Sequence, residues 1–447
     1  MKVMDKQKLA YTRTFGCRAN VSDGEKINGM LAEMGYGFTR DLNEADLILF
    51  NTCAIRENAE TRVFGNIGSL VHQKRRNPDL IVAVCGCMIQ QEGTAEKLRK
   101  TFPYIDLLFG THALPKLPQL LQEVSNTRGT VVDLTEECGI VEDLPVRRTS
   151  SIKADVPIMY GCDNYCTYCV VPYVRGRERS RTPEAVLGEI HSLVTDGVKE
   201  IMLLGQNVNS YGKGLNCSTN FSELLRQIDA IDGEFRVTYM TSHPKDLSRE
   251  LIDIIADSNK ISHRLHLPVQ SGSNSILKAM NRKYTIEQYL EIIEYARKKI
   301  PSISITTDII VGFPGETREE FDETLELIRR ARFDLAYTFI YSKRAGTVAA
   351  EFEDLLPKEI KSAWFTEMLG VLDESTSNSF ERYVGKILHV LCEGDGYLEG
   401  EFTGKSREGI VVNFAKPSSE VNIVGEFVNI KITKDLGCVV FGEIVNN

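Results

Sequence analysis

Three thiols in the stretch Met159-Tyr160-Gly161-Cys162-Asp163-Asn164-Tyr165-Cys166-Thr167-Tyr168-Cys169 are spaced C-x3-C-x2-C, directly after the apolar run Val156-Pro157-Ile158-Met159. A structural zinc site closes with four Cys/His ligands, usually drawn from paired halves. A cubane iron–sulfur cluster ordinarily takes four thiolates, one per iron. Three thiolates in one short loop can therefore hold a [4Fe–4S] cluster with one iron open to an exogenous ligand, and an open iron is a place for chemistry. The alternative is a zinc knuckle completed by Cys217 or a histidine, but no second Cys/His pair at the required spacing accompanies it.

Such a loop must be carried by something rigid. From about Ala154 to Ser342 the chain alternates short apolar runs with amphipathic stretches, which places strands at Val156 to Tyr160, Glu200 to Leu204, Phe235 to Met240, Arg264 to Pro268, Ser304 to Val311 and Leu335 to Tyr341. Helix starts lie between them: Thr182 is an N-cap before Pro183, and Thr317-Arg318-Glu319-Glu320 is a capping box. Six βα units predict an incomplete (β/α)6 barrel, whose chemistry belongs at the carboxyl ends of the strands. Those ends carry Gly205-Gln206-Asn207, Thr241-Ser242-His243-Pro244, Gln270-Ser271-Gly272-Ser273 and Gly312-Phe313-Pro314-Gly315-Glu316, turns in which glycine lets backbone approach a ligand. His243 and His263 are assigned no role, and His243 before a proline reads as a turn residue.

A second thiol set lies upstream. Residues Leu9 to Leu121 predict a flavodoxin-like parallel α/β domain with strands at Ala10 to Phe15, Leu47 to Phe50, Leu80 to Val84 and Ile105 to Phe109, and a capping box at Ser22-Asp23-Gly24-Glu25. Cys17, Cys53 and Cys87 each follow a different strand, two of them directly after a glycine. Open parallel sheets bind ligands outside those strand ends, so three distant thiols can converge there as a second three-thiolate cluster site. Cys85, on the same extended run as Cys87, reads as core.

Beyond about Val124 the hydrophobic period is lost up to Ser151, which predicts a linker; Cys138 falls in it without a partner. After an amphipathic stretch around Trp364 to Leu372, five extended runs separated by glycines (Ile387 to Leu391, Tyr397 to Phe402, Gly409 to Phe414, Phe427 to Ile432, Val439 to Ile444) predict a small β-barrel, with Cys392 and Cys438 in its core. The expected layout is an α/β multidomain chain: 1–123, linker 124–151, barrel 152–376 and small β-barrel 379–445.

Composition bounds the function. With 447 residues, 42% hydrophobic and 26% charged, the chain is that of an ordinary globular protein of two or three domains. No apolar run is long enough to span a bilayer and the start has no signal core, so a cytoplasmic protein with no membrane partner is expected. There, eleven cysteines read as metal ligands or reduced core residues. A net charge of −9 argues against a uniformly basic, nucleic-acid-coating surface. Local clusters remain: Arg175, Arg177, Arg179 and Arg181 form the densest, and Lys74-Arg75-Arg76 reads as a solvated face.

The three-cysteine loop resembles that of the radical S-adenosylmethionine enzymes. Its flanks, Tyr168 and Val170-Val171-Pro172-Tyr173-Val174-Arg175-Gly176-Arg177-Glu178-Arg179-Ser180-Arg181, resemble the methylthiotransferases among them, and the final barrel resembles the TRAM domain, an RNA-binding module of the OB type. That terminal region carries 7 Lys/Arg against 10 Asp/Glu between Ser379 and Asn447, so RNA would have to meet a local face. Leu204-Gly205-Gln206-Asn207-Val208-Asn209-Ser210-Tyr211-Gly212, Thr241-Ser242-His243-Pro244 and Met280-Asn281-Arg282 look like the branch acting on N6-isopentenyladenosine at position 37 of tRNA. Gly16-Cys17-Arg18-Ala19-Asn20 departs from it, with Arg18-Ala19 where Gln-Met is common.

The resemblance implies two [4Fe–4S] clusters, on Cys162/Cys166/Cys169 and on Cys17/Cys53/Cys87. It also implies two S-adenosylmethionines, one the methyl donor and one the source of a 5′-deoxyadenosyl radical that removes hydrogen from adenine C2. The cofactor would be met by Tyr168, Gly205, Gln206, Asn207, Ser242, Gln270, Ser271 and Gly312, and the anticodon stem-loop by Arg175, Arg177, Arg179 and Arg181. A one-electron reductant such as flavodoxin or ferredoxin and a sulfur or cluster donor are implied partners of a monomer. The alternatives are a methylthiotransferase for threonylcarbamoyladenosine-37, or a non-catalytic iron–sulfur electron or sulfur carrier.

Overall fold

The computed structural model describes residues 7–54, 57–127, 129–137, 139–216, 218–376, 379–417, 422–437 and 439–445; Cys138, Cys217 and Cys438 lie outside the described residues. The chain forms two compact units, one of residues 1–149, 159–163 and 169–179, the other of residues 150–158, 164–168 and 180–447.

In the first unit, β1 (Leu9–Thr14), β2 (Gly37–Phe38), β3 (Leu47–Thr52), β4 (Ile81–Gly86), β5 (Leu107–Phe109) and β6 (Val131–Asp133) form one parallel sheet in the order β2-β1-β3-β4-β5-β6. Every residue of β3 is buried, as for a central parallel strand covered on both faces. Its side chains alternate between two cores. Leu47 and Leu49 join Ile27, Met30 and Leu31 of the helix Arg18–Glu33, while Ile48 and Phe50 join Val63, Ile67 and Leu98.

Three local expectations are corrected in this unit. The helix starts at Arg18, with Cys17 in the N-cap position, so Ser22 and Glu25 are interior and form no capping box. Glu25 instead accepts from Thr149 N and Oγ1, both at 2.9 Å. Within the stretch expected as linker, Val131–Asp133 adds an edge strand to the sheet, a run too short to show a period. Lys74 points inward to both carboxylate oxygens of Asp106, at 2.9 and 2.8 Å.

The second unit opens with β7 (Lys153–Pro157); the cysteine loop that follows in sequence is flanked by the short strands β8 (Met159–Tyr160), which belongs to the first unit, and β9 (Arg179–Ser180). The parallel series continues with β10 (Glu200–Leu204), β11 (Arg236–Tyr239), β12 (Arg264–His266), β13 (Ser304–Val311) and β14 (Leu335–Ile340). These form two sheets, β11-β10-β7 and β12-β13-β14, joined by a parallel bridge between Val237 and Ile261. Six parallel strands thus make the open barrel. Thr182 Oγ1 accepts from Ala185 N, and Thr317 with Glu320 forms the complete capping box.

The chain ends in a closed barrel of β15 (Ile387–Asp395), β16 (Glu401–Ser406), β17 (Val411–Ala415), β18 (Phe427–Asp435) and β19 (Val440–Ile444), packed around Val390, Cys392, Phe402, Val412, Phe414 and Ile430. The run expected at 397–402 is shifted, because Gly396 to Gly400 make the turn and leave Tyr397 96% exposed. This barrel closes over the amino-terminal ends of the parallel strands. Arg236, at the start of β11, donates to Lys405 O, Ser406 O and His389 O, and Lys153, at the start of β7, pairs with Glu393 at 2.5 Å. The glycine-bearing turns lie at the other, carboxyl ends of these strands.

Candidate functional site

In the first unit, Cys17, Cys53 and Cys87 follow the carboxyl ends of β1, β3 and β4, three neighbouring strands of the sheet. Their loops meet because two glycines allow it. A Cβ on Gly16 (φ +109°) would lie 2.4 Å from Cys53 Cβ and 2.7 Å from its sulfur; one on Gly86 (φ +97°) would lie 2.4 Å from Thr52 O. Asn20 occupies the centre, fully buried. Its amide nitrogen donates to Phe15 O at 3.0 Å and Thr52 O at 2.7 Å, tying together the loops of Cys17 and Cys53. Its oxygen stands 3.8 Å from Cys17 Sγ and 3.7 Å from Cys87 Sγ.

Arg175 enters the same spot from the helix Val171–Arg175. Its Nε donates to Cys87 Sγ at 3.1 Å, and its Nη2 donates to Asn20 Oδ1 at 2.7 Å and pairs with Asp23 at 2.8 Å. Burial pushes the Cys87 thiol up to about 11, against the pull of that guanidinium. Among the described residues, no three His, Cys, Asp or Glu side chains surround one ion's position. A cubane asks for a different arrangement, three thiolates each on its own iron, and three cysteines on neighbouring strand ends are the donor types it would need. Cys85 is buried in the apolar core beneath, away from this role.

The second cysteine set lies on one loop. Cys162 and Cys166 are buried and Cys169 is half-buried. Gly161 (φ +74°) starts the loop where a Cβ would strike Arg177 O at 2.0 Å, and Cys162 N donates to Gly176 O at 3.2 Å. The middle of the loop is held by Met280-Asn281-Arg282. Asn281 Nδ2 donates to Asn164 O at 3.1 Å and Tyr165 O at 2.9 Å, and Thr167 N donates to Met280 O at 3.1 Å. The buried Arg282 donates to Cys166 Sγ at 3.6 Å, Pro268 O at 2.6 Å and Tyr284 Oη at 3.1 Å. In each thiol set, then, one sulfur faces a buried arginine.

The strand-end turns divide by what their side chains already do. Gln206 Oε1 and Ser242 Oγ are buried without a hydrogen-bond partner among the described residues, the state of groups shaped to meet a ligand. Asn207 is committed internally: it donates to Asp246 at 2.7 Å and accepts from His243 N at 3.1 Å, so it locks two turns together. The Gly205 carbonyl accepts from Thr241 Oγ1 at 2.6 Å. Gln270 takes a left-handed φ of +74°, and the Ser271 hydroxyl accepts from Ser273 N at 3.2 Å. Gly312 (φ +73°) faces the Lys361 stem, its N–H donating to Glu316 Oε2 at 2.6 Å. Tyr168 packs half-buried beside Ile276, Met280 and Phe313. Burial and nearby cations lower the His243 pKa to about 2, so the ring is a neutral turn group whose Nδ1 accepts from Lys245 N.

The four arginines do not share one fate. Arg175 is spent on the sulfur site, and Arg181, equally buried, donates to Pro157 O at 2.8 Å and Glu189 at 2.7 Å. The expectation of a phosphate contact is corrected for these two, whose guanidiniums are internal. Arg177 is exposed, 3.0 Å from Asp163, and Arg179 is half-buried.

Comparison with known proteins places these features in a family. The radical SAM superfamily matches residues 156–328, the uncharacterized protein family UPF0004 residues 9–110 and the TRAM domain residues 381–445. The tRNA-2-methylthio-N(6)-dimethylallyladenosine synthase of Clostridioides difficile (strain 630) is 50% identical over 99% of this chain and 92% of its own length. Proteins of the same name from Clostridium beijerinckii and Thermoanaerobacter pseudethanolicus are 48% and 49% identical, over 98% and 97% of this chain and 96% and 92% of theirs. Among solved structures, the radical S-adenosylmethionine methyltransferase TsrM from Kitasatospora setae shares the fold, with a TM-score of 0.58 at 14% identity over 77% of each chain.

Proposed function

We infer function from membership: the chain belongs to the tRNA-2-methylthio-N(6)-dimethylallyladenosine synthases, radical S-adenosylmethionine enzymes ending in a TRAM domain. It is a transferase that replaces the C2 hydrogen of a prenylated adenosine in tRNA by a methylthio group, with S-adenosylmethionine and an iron–sulfur cluster as cofactors. The single observation that carries this reading is the 50% identity extending over 99% of the chain.

The finer assignments are our proposals. Cys162, Cys166 and Cys169 would hold the radical cluster, and Cys17, Cys53 and Cys87 a second one that delivers sulfur. Held by Cys162, Cys166 and Cys169, the cluster would supply one-electron cleavage of S-adenosylmethionine and so the means to remove a hydrogen that acid–base chemistry cannot reach. The chain's own residues orient and exclude. Arg282 and Asn281 hold the loop, the Gln206 and Ser242 side chains offer unpaired polar atoms to the cofactor, and Gly205, Gln270, Ser271, Gly312 and Tyr168 shape its walls, with Asn207 fixing two of the turns.

An anticodon-loop adenine suits this site because it unstacks without breaking a duplex. Arg177 and Arg179 are the members of the arginine cluster we assign to its phosphates. A flavodoxin- or ferredoxin-type reductant, a sulfur donor, a monomeric state and a cytoplasmic location complete the proposal.

Burying the five-carbon prenyl group should contribute about 2–3 kcal/mol, or roughly 30- to 150-fold in rate. Competition between stem-loops bearing adenosine and isopentenyladenosine at position 37 tests the substrate. Preference for the prenylated loop is expected; equal turnover, or preference for threonylcarbamoyladenosine, overturns it.

A further inference from the structure

Arg175 reaches into the Cys17/Cys53/Cys87 site, and its guanidinium makes three polar contacts there. Nε meets the Cys87 sulfur, and Nη2 meets both Asn20 and Asp23. Asn20 in turn holds the two loops that deliver Cys17 and Cys53. The three thiolates of such a site are like charges in a space that burial has stripped of water, which is costly unless a counter-charge is built in. A planar guanidinium fixed by a carboxylate supplies one with a set direction, which a flexible ammonium would not. Hydrogen bonds to sulfur and local net charge are also what set a cluster's reduction potential.

We propose that Arg175, oriented by Asp23 and Asn20, is a positioning residue of the sulfur-delivering site: it donates to the Cys87 sulfur, holds the three thiolates in register and sets the reduction potential of the cluster they carry. The proposal rests on the assignment of a second cluster to Cys17, Cys53 and Cys87. Removing the cation should make the cluster harder to reduce, and removing the Asp23 charge should make it easier, a pair of opposite shifts that a merely structural role does not produce.

The test uses the full chain with Cys162, Cys166 and Cys169 replaced by alanine, so that a single cluster signal remains, reconstituted anaerobically and titrated by electron paramagnetic resonance. With Arg175 intact, absence of iron in this protein would overturn the second-cluster assignment itself. With iron present, Arg175→Met should move the midpoint to more negative potential, Arg175→Lys should fall between it and the parent, and Asp23→Asn should move it to more positive potential. Unchanged midpoints in Arg175→Met and Asp23→Asn would overturn the role of Arg175 while leaving the cluster in place. If Arg175→Met holds no iron, Arg175→Lys and Asp23→Asn decide, and parental midpoints in both would overturn it.

Discussion

At the scale of residues, the six cysteines we assign to clusters stand out in the sequence because their pattern is local: a C-x3-C-x2-C spacing, and a thiol just past each of three strands. The groups that complete the sites do not. Arg175 and Asn20 are 155 residues apart, and Arg282 and Cys166 are 116 apart. Nothing in local spacing marks them, and an arginine in a basic run reads as a phosphate ligand until its burial is known. The cysteine assignments predict separable losses. Replacing Cys17, Cys53 and Cys87 together by alanine should leave about half the iron, because one of two cubanes remains, and should preserve reductive cleavage of S-adenosylmethionine while methylthio product disappears. Iron analysis with quantitation of 5′-deoxyadenosine checks this; unchanged iron would refute the N-terminal site.

At the scale of elements, strands with strong apolar runs and helices with threonine caps were readable, β10 and β13 to the residue. Short or misleading segments were not. Val131–Asp133 is too brief to show a period, and Ser22-x-x-Glu25 mimics a cap inside a helix that begins at Arg18. The β13 turn carries a charge that sequence did not flag. Glu316 is buried, and desolvation raises its pKa from the usual value to about 7, although its carboxylate accepts from Gly312 N and Phe313 N. A folded-state pKa above the unfolded one means the fold binds the proton more tightly. The stabilisation is therefore complete below about pH 4.5 and lost as pH rises through about 7, with a size of roughly 3 kcal/mol. Glu316→Gln, which keeps the accepting oxygen, should flatten this dependence in denaturant titrations between those pH values; an unaltered slope would contradict it.

At the scale of the whole molecule, the resemblance of motifs anticipated the succession of α/β domain, open barrel and closed barrel, whereas the way the last two join depends on buried contacts no motif encodes. Arg236 is 3% exposed and donates to three carbonyls of the closed barrel, with Glu200 3.8 Å away. Arg236→Met keeps the stem but strands those acceptors and the buried carboxylate, and should cost about 3 kcal/mol. Thermal unfolding should show an earlier transition; an unshifted midpoint would show that the junction does not depend on this arginine. The most direct test of the account as a whole is mass analysis of nucleosides from isopentenyladenosine-37 tRNA incubated with the reconstituted chain, S-adenosylmethionine and a reductant. Conversion to the 2-methylthio derivative together with 5′-deoxyadenosine is expected, and recovery of the unmodified nucleoside while 5′-deoxyadenosine accumulates would contradict the assigned reaction.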